Sequence, residues 1–236
     1  MSKTPIWKSI ALTLTSDIAE GRYNTGDRLP TEAQLAATHG VNRHTVRRAL
    51  SDLAERGLVH ARRGAGVFVS ARPTDYPIGK RVRYHKNISA SGKIPGKRVL
   101  ALTTRASDEA EAEALGLQTG DPVHVYDGLS LADGQPVGLF QSVFPAERFP
   151  DLLDALSGNA SVTKALQTCG VPDYTRISTR LTARSASATQ ALHLQLTEGA
   201  PVLHSLGINA DPDGQPVEYG KTVFAGERVT LTLSDE

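Results

Sequence analysis

Arg43, His44, Thr45, Arg47 and Arg48 fall within six consecutive residues, directly after Asn42. Arginine can grip a guanine edge with two parallel hydrogen bonds, while Asn, Thr and backbone amides can hold phosphates. A helix carrying such a set in its first turns suits the major groove of duplex DNA. A second set, Arg62, Arg63, Gly64 and Gly66, combines cations with residues that let backbone approach a phosphate or a narrow minor groove. A third, Arg176, Arg180 and Arg184, recurs at every fourth residue. On a regular strand beginning near Arg176 these three share one face. If that face lines a pocket, it offers guanidinium forks to a phosphate or phosphonate. If it faces water, the three are solubilising residues.

These sets need elements to position them. Ile6, Ile10, Leu14 and Ile18 form an apolar stripe on a first helix, which Gly21, Gly26 and Pro30 terminate. Thr31 with Gln34 makes a capping box for a short helix from Glu32 to His39, and Gly40 ends it. Asn42 then caps a helix whose Val46, Ala49, Leu50, Leu53 and Ala54 face a core. An ordinary basic surface helix requires no such capped helix, glycine turn and polar tip together. Leu58-Val-His60 and Val67-Phe-Val69 predict two strands joined by a basic, glycine-containing loop. That loop lacks the Lys-Ser/Thr ending of a nucleotide-phosphate loop.

Bulk composition is that of a globular protein, with 39% hydrophobic and 22% charged residues in 236. Net charge is only +1, but residues 1–80 carry +5 and residues 81–236 carry −4. A positive head on an acidic body suits a DNA-contacting module joined to one with another task. No apolar run follows Lys3 and Lys8 to make a signal peptide, and no segment reaches membrane-spanning length, so a cytoplasmic protein without membrane contact is expected. The single Cys169 excludes an intrachain disulfide. The seven histidines show no metal-binding spacing, and neither metal nor cofactor is expected.

The runs Arg28-Leu-Pro-Thr-Glu32, Asn42-Arg-His-Thr-Val-Arg-Arg48 and Arg63-Gly-Ala-Gly-Val-Phe-Val69 resemble the winged helix-turn-helix of GntR-type bacterial transcriptional regulators, within them the HutC branch. The segments Arg72-Pro-Thr-Asp-Tyr-Pro77 and Asp173-Tyr-Thr-Arg-Ile-Ser-Thr-Arg180 are similar to those of phosphonate-utilisation repressors. The resemblance implies that the helix tip reads an operator while the wing glycine enters the minor groove. It implicates Arg43, His44, Thr45 and Arg47 on the helix and Gly66 on the wing; with the residues singled out above, the expected DNA-contacting set is Arg28, Thr31, Glu32, Asn42, Arg43, His44, Thr45, Arg47, Arg48, Arg62, Arg63, Gly64 and Gly66. The expected organisation is a DNA-binding domain over 1–71, a linker over 72–80 stiffened by Pro73 and Pro77, and an effector-binding and dimerisation domain over 81–236.

The second domain repeats itself. Leu102-Thr-Thr-Arg105 and Gly120-Asp-Pro-Val123 correspond to Leu181-Thr-Ala-Arg184 and Gly199-Ala-Pro-Val202 at an offset of 79. Asp133-Gly-Gln-Pro-Val137 corresponds to Asp213-Gly-Gln-Pro-Val217 at an offset of 80. Each copy predicts strand, short helix (about 108–115 and 187–194, the first capped by Ser107), strand, Asp-Gly turn and strand. Two copies can form one antiparallel sheet with helices on one side, an α+β architecture. The resemblance implies the same, a chorismate-lyase-like effector domain, dimeric, holding its ligand between sheet and loops. It also places ligand contacts after the second Asp-Gly turn, at Glu218 and Tyr219. In sugar-phosphate-sensing members two arginines precede the first Asp-Gly turn; Gly128 and Ser130 stand there in this chain. The basic stretch Arg81, Arg83, His85, Lys86, Lys93, Lys97 and Arg98 is either a solvated lead-in or a loop over an anionic ligand.

Two functions remain open at this level. One is a dimeric repressor that reads a two-fold symmetric operator and responds to a small anionic effector such as a phosphonate or phosphate, or to a ligand of another catabolic pathway. The other is a chorismate-lyase-like enzyme tethered to a DNA-binding head. No catalytic set emerges from the sequence, and Cys169 has no evident base partner, which favours the regulator.

Overall fold

The computed structural model describes residues 5–24, 26–62, 64–70, 73–81, 83–158 and 160–233, without the side chain of Arg62. The chain divides into two compact units, Met1–Arg72 and Pro73–Glu236.

The first unit contains α1 (Ile6–Ala19), α2 (Glu32–His39), α3 (Arg43–Glu55) and an antiparallel hairpin of β1 (Val59–Arg62) and β2 (Gly66–Val69). The capping box of Thr31 and Gln34 opens α2, and Gly40 ends it with φ of 63°. Ile10, Leu14, Leu35, Val46, Leu50 and Leu53 close the core beneath the helices. Ile6, expected on the core stripe, is instead 62% exposed at the first turn of α1.

The second unit begins where a linker was expected. β3 (Thr74–Pro77) pairs in parallel with β10 (Val229–Thr232), so this stretch is built into the fold. Then follow α4 (Tyr84–Ala90), β4 (Pro95–Ala106), α5 (Glu109–Leu115), β5 (Pro122–Ala132), β6 (Gln135–Pro145), α6 (Leu152–Gly158), α7 (Val162–Thr168), β7 (Thr175–Ser185), α8 (Ala188–Leu194), β8 (Pro201–Ala210) and β9 (Pro216–Ala225). Six strands form one antiparallel sheet in the order β4-β5-β6-β9-β8-β7. The succession strand, helix, strand, strand thus occurs twice. Asp133 and Gly134 turn β5 into β6 with φ of 49° and 75°, as a tight hairpin demands.

Helices cover both faces rather than one. Leu115 of α5 packs with Val123, Val125 and Val143, while Ala191 and Leu194 of α8 pack with Leu129 and Val202. On the other face Leu152, Leu156 and Leu166 of α6 and α7 pack on Tyr126, Phe140 and Phe144. The cap of α5 is Asp108, not Ser107, whose hydroxyl instead accepts from the Gly120 amide. Fully buried Glu111 anchors α5 to the sheet, accepting from Arg105 Nη1 at 2.6 Å and Lys221 Nζ at 2.9 Å. The Arg105 hydrogen bonds hold its carboxyl down to about 2.

Candidate functional site

In the first unit the helix tip is shaped by its cap. Asn42 Oδ1 accepts from both the amide and the hydroxyl of Thr45 at 2.9 Å, which occupies Asn42 and Thr45 while leaving Arg43 and His44 exposed. One turn on, Arg47 donates from Nε and Nη2 to the Glu32 carboxylate on α2, at 3.0 and 2.8 Å. That hydrogen bonding holds the Glu32 carboxyl below its ordinary range. The pair fixes the angle at which Arg47 leaves α3, and a base contact would have to share or open it. Thr31 is taken up by its cap with Gln34.

Arg48 departs from the expected set. A helix turns about 100° per residue, so Arg48 points away from Arg47 and its guanidinium lies 4.6 Å from the Trp7 ring centroid. It packs α3 on α1. At the hairpin, Gly66 has φ of +115°, and a Cβ there would lie 2.7 Å from Arg28 Nε. The conformation is what requires glycine, while the Arg28 side chain packs into the space a Cβ would take. Gly64, with φ of +73°, makes the turn. Arg63 and the side chain of Arg62 lie outside the described residues.

The second unit holds a cavity of about 610 Å³ on the sheet face that carries Phe140, walled by residues of α4 and α7. Lys97 of β4 projects into it directly opposite Ser130 of β5. Its ammonium sits 4.4 Å from the Phe140 ring centroid and 5.4 Å from that of Tyr126. Surrounded by protein yet open to the cavity, Lys97 is pushed down to about 8 by burial, with Glu218 opposing.

Arg83 stacks 3.8 Å over the Tyr174 ring and donates from Nη2 to Asp173 Oδ1 and the Tyr174 carbonyl, at 2.8 and 2.9 Å. Its Nη1 is buried without a hydrogen-bond partner. Arg176 Nε donates to Asn209 Oδ1 at 2.7 Å. Asn209 Nδ2 in turn donates to Glu218 Oε2, and Ser142 Oγ to Glu218 Oε1, both at 2.6 Å. Arg83, Lys97 and Arg176 therefore meet in a cavity that Lys86 and Lys164 also line, and its acid is held by two neutral donors. A tetrahedral anion fits such a set, because guanidinium and ammonium hydrogens offset the cost of removing it from water.

Arg176 reaches across the sheet because Gly207 has no side chain, and a Cβ there would lie 2.1 Å from Arg176 Nη1. Gly207→Ala should keep the fold, since only the end of a flexible side chain is in the way, yet displace the guanidinium. We expect unchanged thermal unfolding with at least a fivefold loss of anion affinity by calorimetry; unchanged affinity would remove Arg176 from the site.

A GntR-family model, that of the bacterial regulatory proteins, matches residues 7–69, and the UTRA domain model matches residues 90–230. The chain belongs to the GntR family. It is 38% identical to an HTH-type transcriptional regulator of Rhizobium meliloti (strain 1021), over 97% of this chain and 94% of that protein. It is 32% identical to a probable transcriptional regulator, PhnF, of Escherichia coli (strain K12), over 96% and 94%. The crystal structure of PhnF from Mycobacterium smegmatis is similar with a TM-score of 0.68 and 27% identity, covering 96% of this chain and 99% of that one. As a GntR regulator with a UTRA domain, the protein is a DNA-binding regulator with an effector-binding domain and not a catalytic enzyme.

Within this GntR effector domain the five expected contacts separate. Arg176 and Glu218 line the cavity; Arg180, Arg184 and Tyr219 do not. A β-bulge at Ile177 is the reason. Arg176 pairs with Asn209 but Ser178 with Ile208, so the residues after the bulge turn to the opposite face. Arg180 consequently borders a smaller depression beside α5, and Arg184 lies opposite Val202 in the α8 layer. Tyr219 follows Glu218 on β9 and so faces the other way, packed with Leu115 and Val143. Sequence reasoning noted Lys97 and Arg83 only as members of a basic stretch. Register reveals more: Lys97 fills from β4 the place facing Ser130, while Phe140 occupies the space beside Gly128, where a Cβ would lie 2.6 Å from its Cζ. Among the described residues no helix is long and apolar enough to cross a membrane, and no three His, Cys, Asp or Glu side chains are grouped to hold a metal. Cys169 packs at the margin of the α6–α7 core, where burial pushes its thiol up.

Proposed function

We propose that the protein is an effector-responsive repressor that binds a two-fold symmetric operator and controls uptake or metabolism genes for phosphonates or related phosphorus compounds. The observation that carries this reading is the convergence of Arg83, Lys97 and Arg176 on one cavity in the UTRA region. The similarity to two proteins named PhnF supports the ligand class. In this reading Arg43, His44 and Arg47 read the operator, Arg28 and Gly66 serve at the wing with Gly64, Arg62 and Arg63, and Asn42, Thr45, Thr31 and Glu32 position them. The protein acts in the bacterial cytoplasm as a homodimer, whose two-fold axis matches that of its operator. Val99, Leu100, Ile177 and Leu181, exposed on the edge strands β4 and β7, are candidates for the subunit contact. The twofold strand-helix-strand-strand succession supports an internal duplication of the effector domain.

The cavity is tied to the segment that follows β3. The Arg176 amide donates to the Lys80 carbonyl at 2.8 Å, and Arg81 and Arg83 both bind Asp173. Occupancy by an anion would engage Arg83, whose Nη2 also binds Asp173, and in this reading that linkage biases the segment between states of different operator affinity. The test is a titration of phosphonates and inorganic phosphate into the operator complex, followed by fluorescence anisotropy. Release by one of them at concentrations that leave random duplex binding unaltered is expected; no release by any removes the phosphorus assignment.

A further inference from the structure

We infer that the effector is a zwitterion, with a phosphonate or phosphate group at the Arg83–Lys97–Arg176 end and a protonated amine placed against Glu218. This rests on the cavity being the effector site and adds a second pole to it.

The carboxylate of Glu218 is the observation that an anion site alone does not explain. It is 8% exposed and lines the same cavity as the three cations. Among the described residues no Lys, Arg or His lies within ion-pairing distance of it, although Lys97 and Arg176 share its cavity. Instead each oxygen receives one short hydrogen bond from a neutral group, Ser142 or Asn209. Those two bonds orient the carboxylate and leave further lone pairs on both oxygens, since an ionised carboxylate accepts at about four sites. A site built only for a dianion would gain from an apolar or neutral residue here, because a like charge costs binding energy. Retaining a fixed negative group beside cations instead discriminates for a ligand that carries both signs.

The charges complement such a ligand. Arg83, Lys86, Lys97, Lys164 and Arg176 line the cavity, and among its described lining residues Glu218 carries the one carboxylate, so a ligand with both an anionic group and an ammonium answers both signs. An aminoalkylphosphonate brings two negative charges at phosphorus and one positive at nitrogen. Tyr76, Ile78 and Phe224 give part of the wall an apolar surface, which suits a short alkyl chain.

The experiment compares ethylphosphonate, 2-hydroxyethylphosphonate and 2-aminoethylphosphonate by calorimetry on the full chain. The amine should bind at least tenfold more tightly than either of the others. In Glu218→Gln that advantage should fall below twofold, while ethylphosphonate binds as well as before or better, because a repelling charge has gone. Equal affinities for all three ligands in the unsubstituted protein would overturn the zwitterion, with the phosphonate site intact; this arm needs no variant to fold. A variant that unfolds normally in a thermal melt but loses all three ligands alike would also overturn it. Binding of none of the three, or binding that Lys97→Ala leaves unchanged, would instead defeat the underlying assignment of the cavity.

Discussion

Replacing Arg176 with Ala should abolish effector-driven release while leaving operator affinity in the absence of effector within about twofold. Arg176 is held across the sheet by a side-chain partner, Asn209, and by the gap over Gly207. A lost charge-assisted hydrogen bond in a partly enclosed site costs about 1.5–3 kcal/mol, or roughly ten- to a hundredfold in effector affinity. Asn209 keeps its bond to Glu218 after the substitution, so the sheet has no newly stranded acid. The remaining affinity should depend on pH in a set direction. Lys97, down at about 8, loses its proton as pH rises through that value, and with it the attraction for an anion. Glu218, His85, Tyr84 and Tyr126 surround it; only Lys97 among these gives up a positive charge near pH 8. For a ligand whose anionic group is fully ionised over the range, affinity should therefore fall between pH 7 and 9, and Lys97→Arg should flatten that fall. Anisotropy titrations at both pH values decide the matter, and normal induction of Arg176→Ala would remove it from the effector site.

Replacing Arg43 with Ala should cost the operator complex about 1–3 kcal/mol while random duplex loses far less, because a base contact carries sequence information and a phosphate contact does not. Arg43 stands exposed at the first turn of α3. Arg47→Ala should also weaken operator binding, with a further signature from its bond to Glu32. Glu32→Gln loosens that pair without removing the cation, so it should lower the preference for operator over random duplex more than the salt dependence of binding. Arg48→Ala should act on stability through its packing on Trp7, and only weakly on specificity. Paired salt titrations with operator and random duplex measure both slopes. Equal losses on the two duplexes would assign Arg43 to the phosphate backbone.

Much of the DNA-binding unit was legible in the chain because its signals are local. A capping box, a left-handed glycine and an N-cap asparagine act within four residues, and the bounds of α2 and α3 follow from them. What escaped is a matter of helical phase and of partners distant in sequence. Arg48 belongs to Trp7, and Arg47 is held by an acid fifteen residues earlier. The hairpin turns and short helices of the second unit were legible for the same local reason. The segment read as a linker was not, because β3 acquires its partner β10 from the far end of the chain.

By itself, the sequence determined a basic, glycine-punctuated DNA-binding head and a repeated strand-helix-strand-strand body carrying cations. Only the tertiary structure decided which cations meet. Side-chain direction in a strand alternates residue by residue, so one extra residue at Ile177 sends Arg180 and Arg184 to the face opposite Arg176. Cross-strand register then brings Lys97, from the other edge of the sheet, to the position facing Ser130. Periodicity carries no record of a bulge or of a partner strand, and both are fixed by hydrogen bonds between segments far apart in the chain.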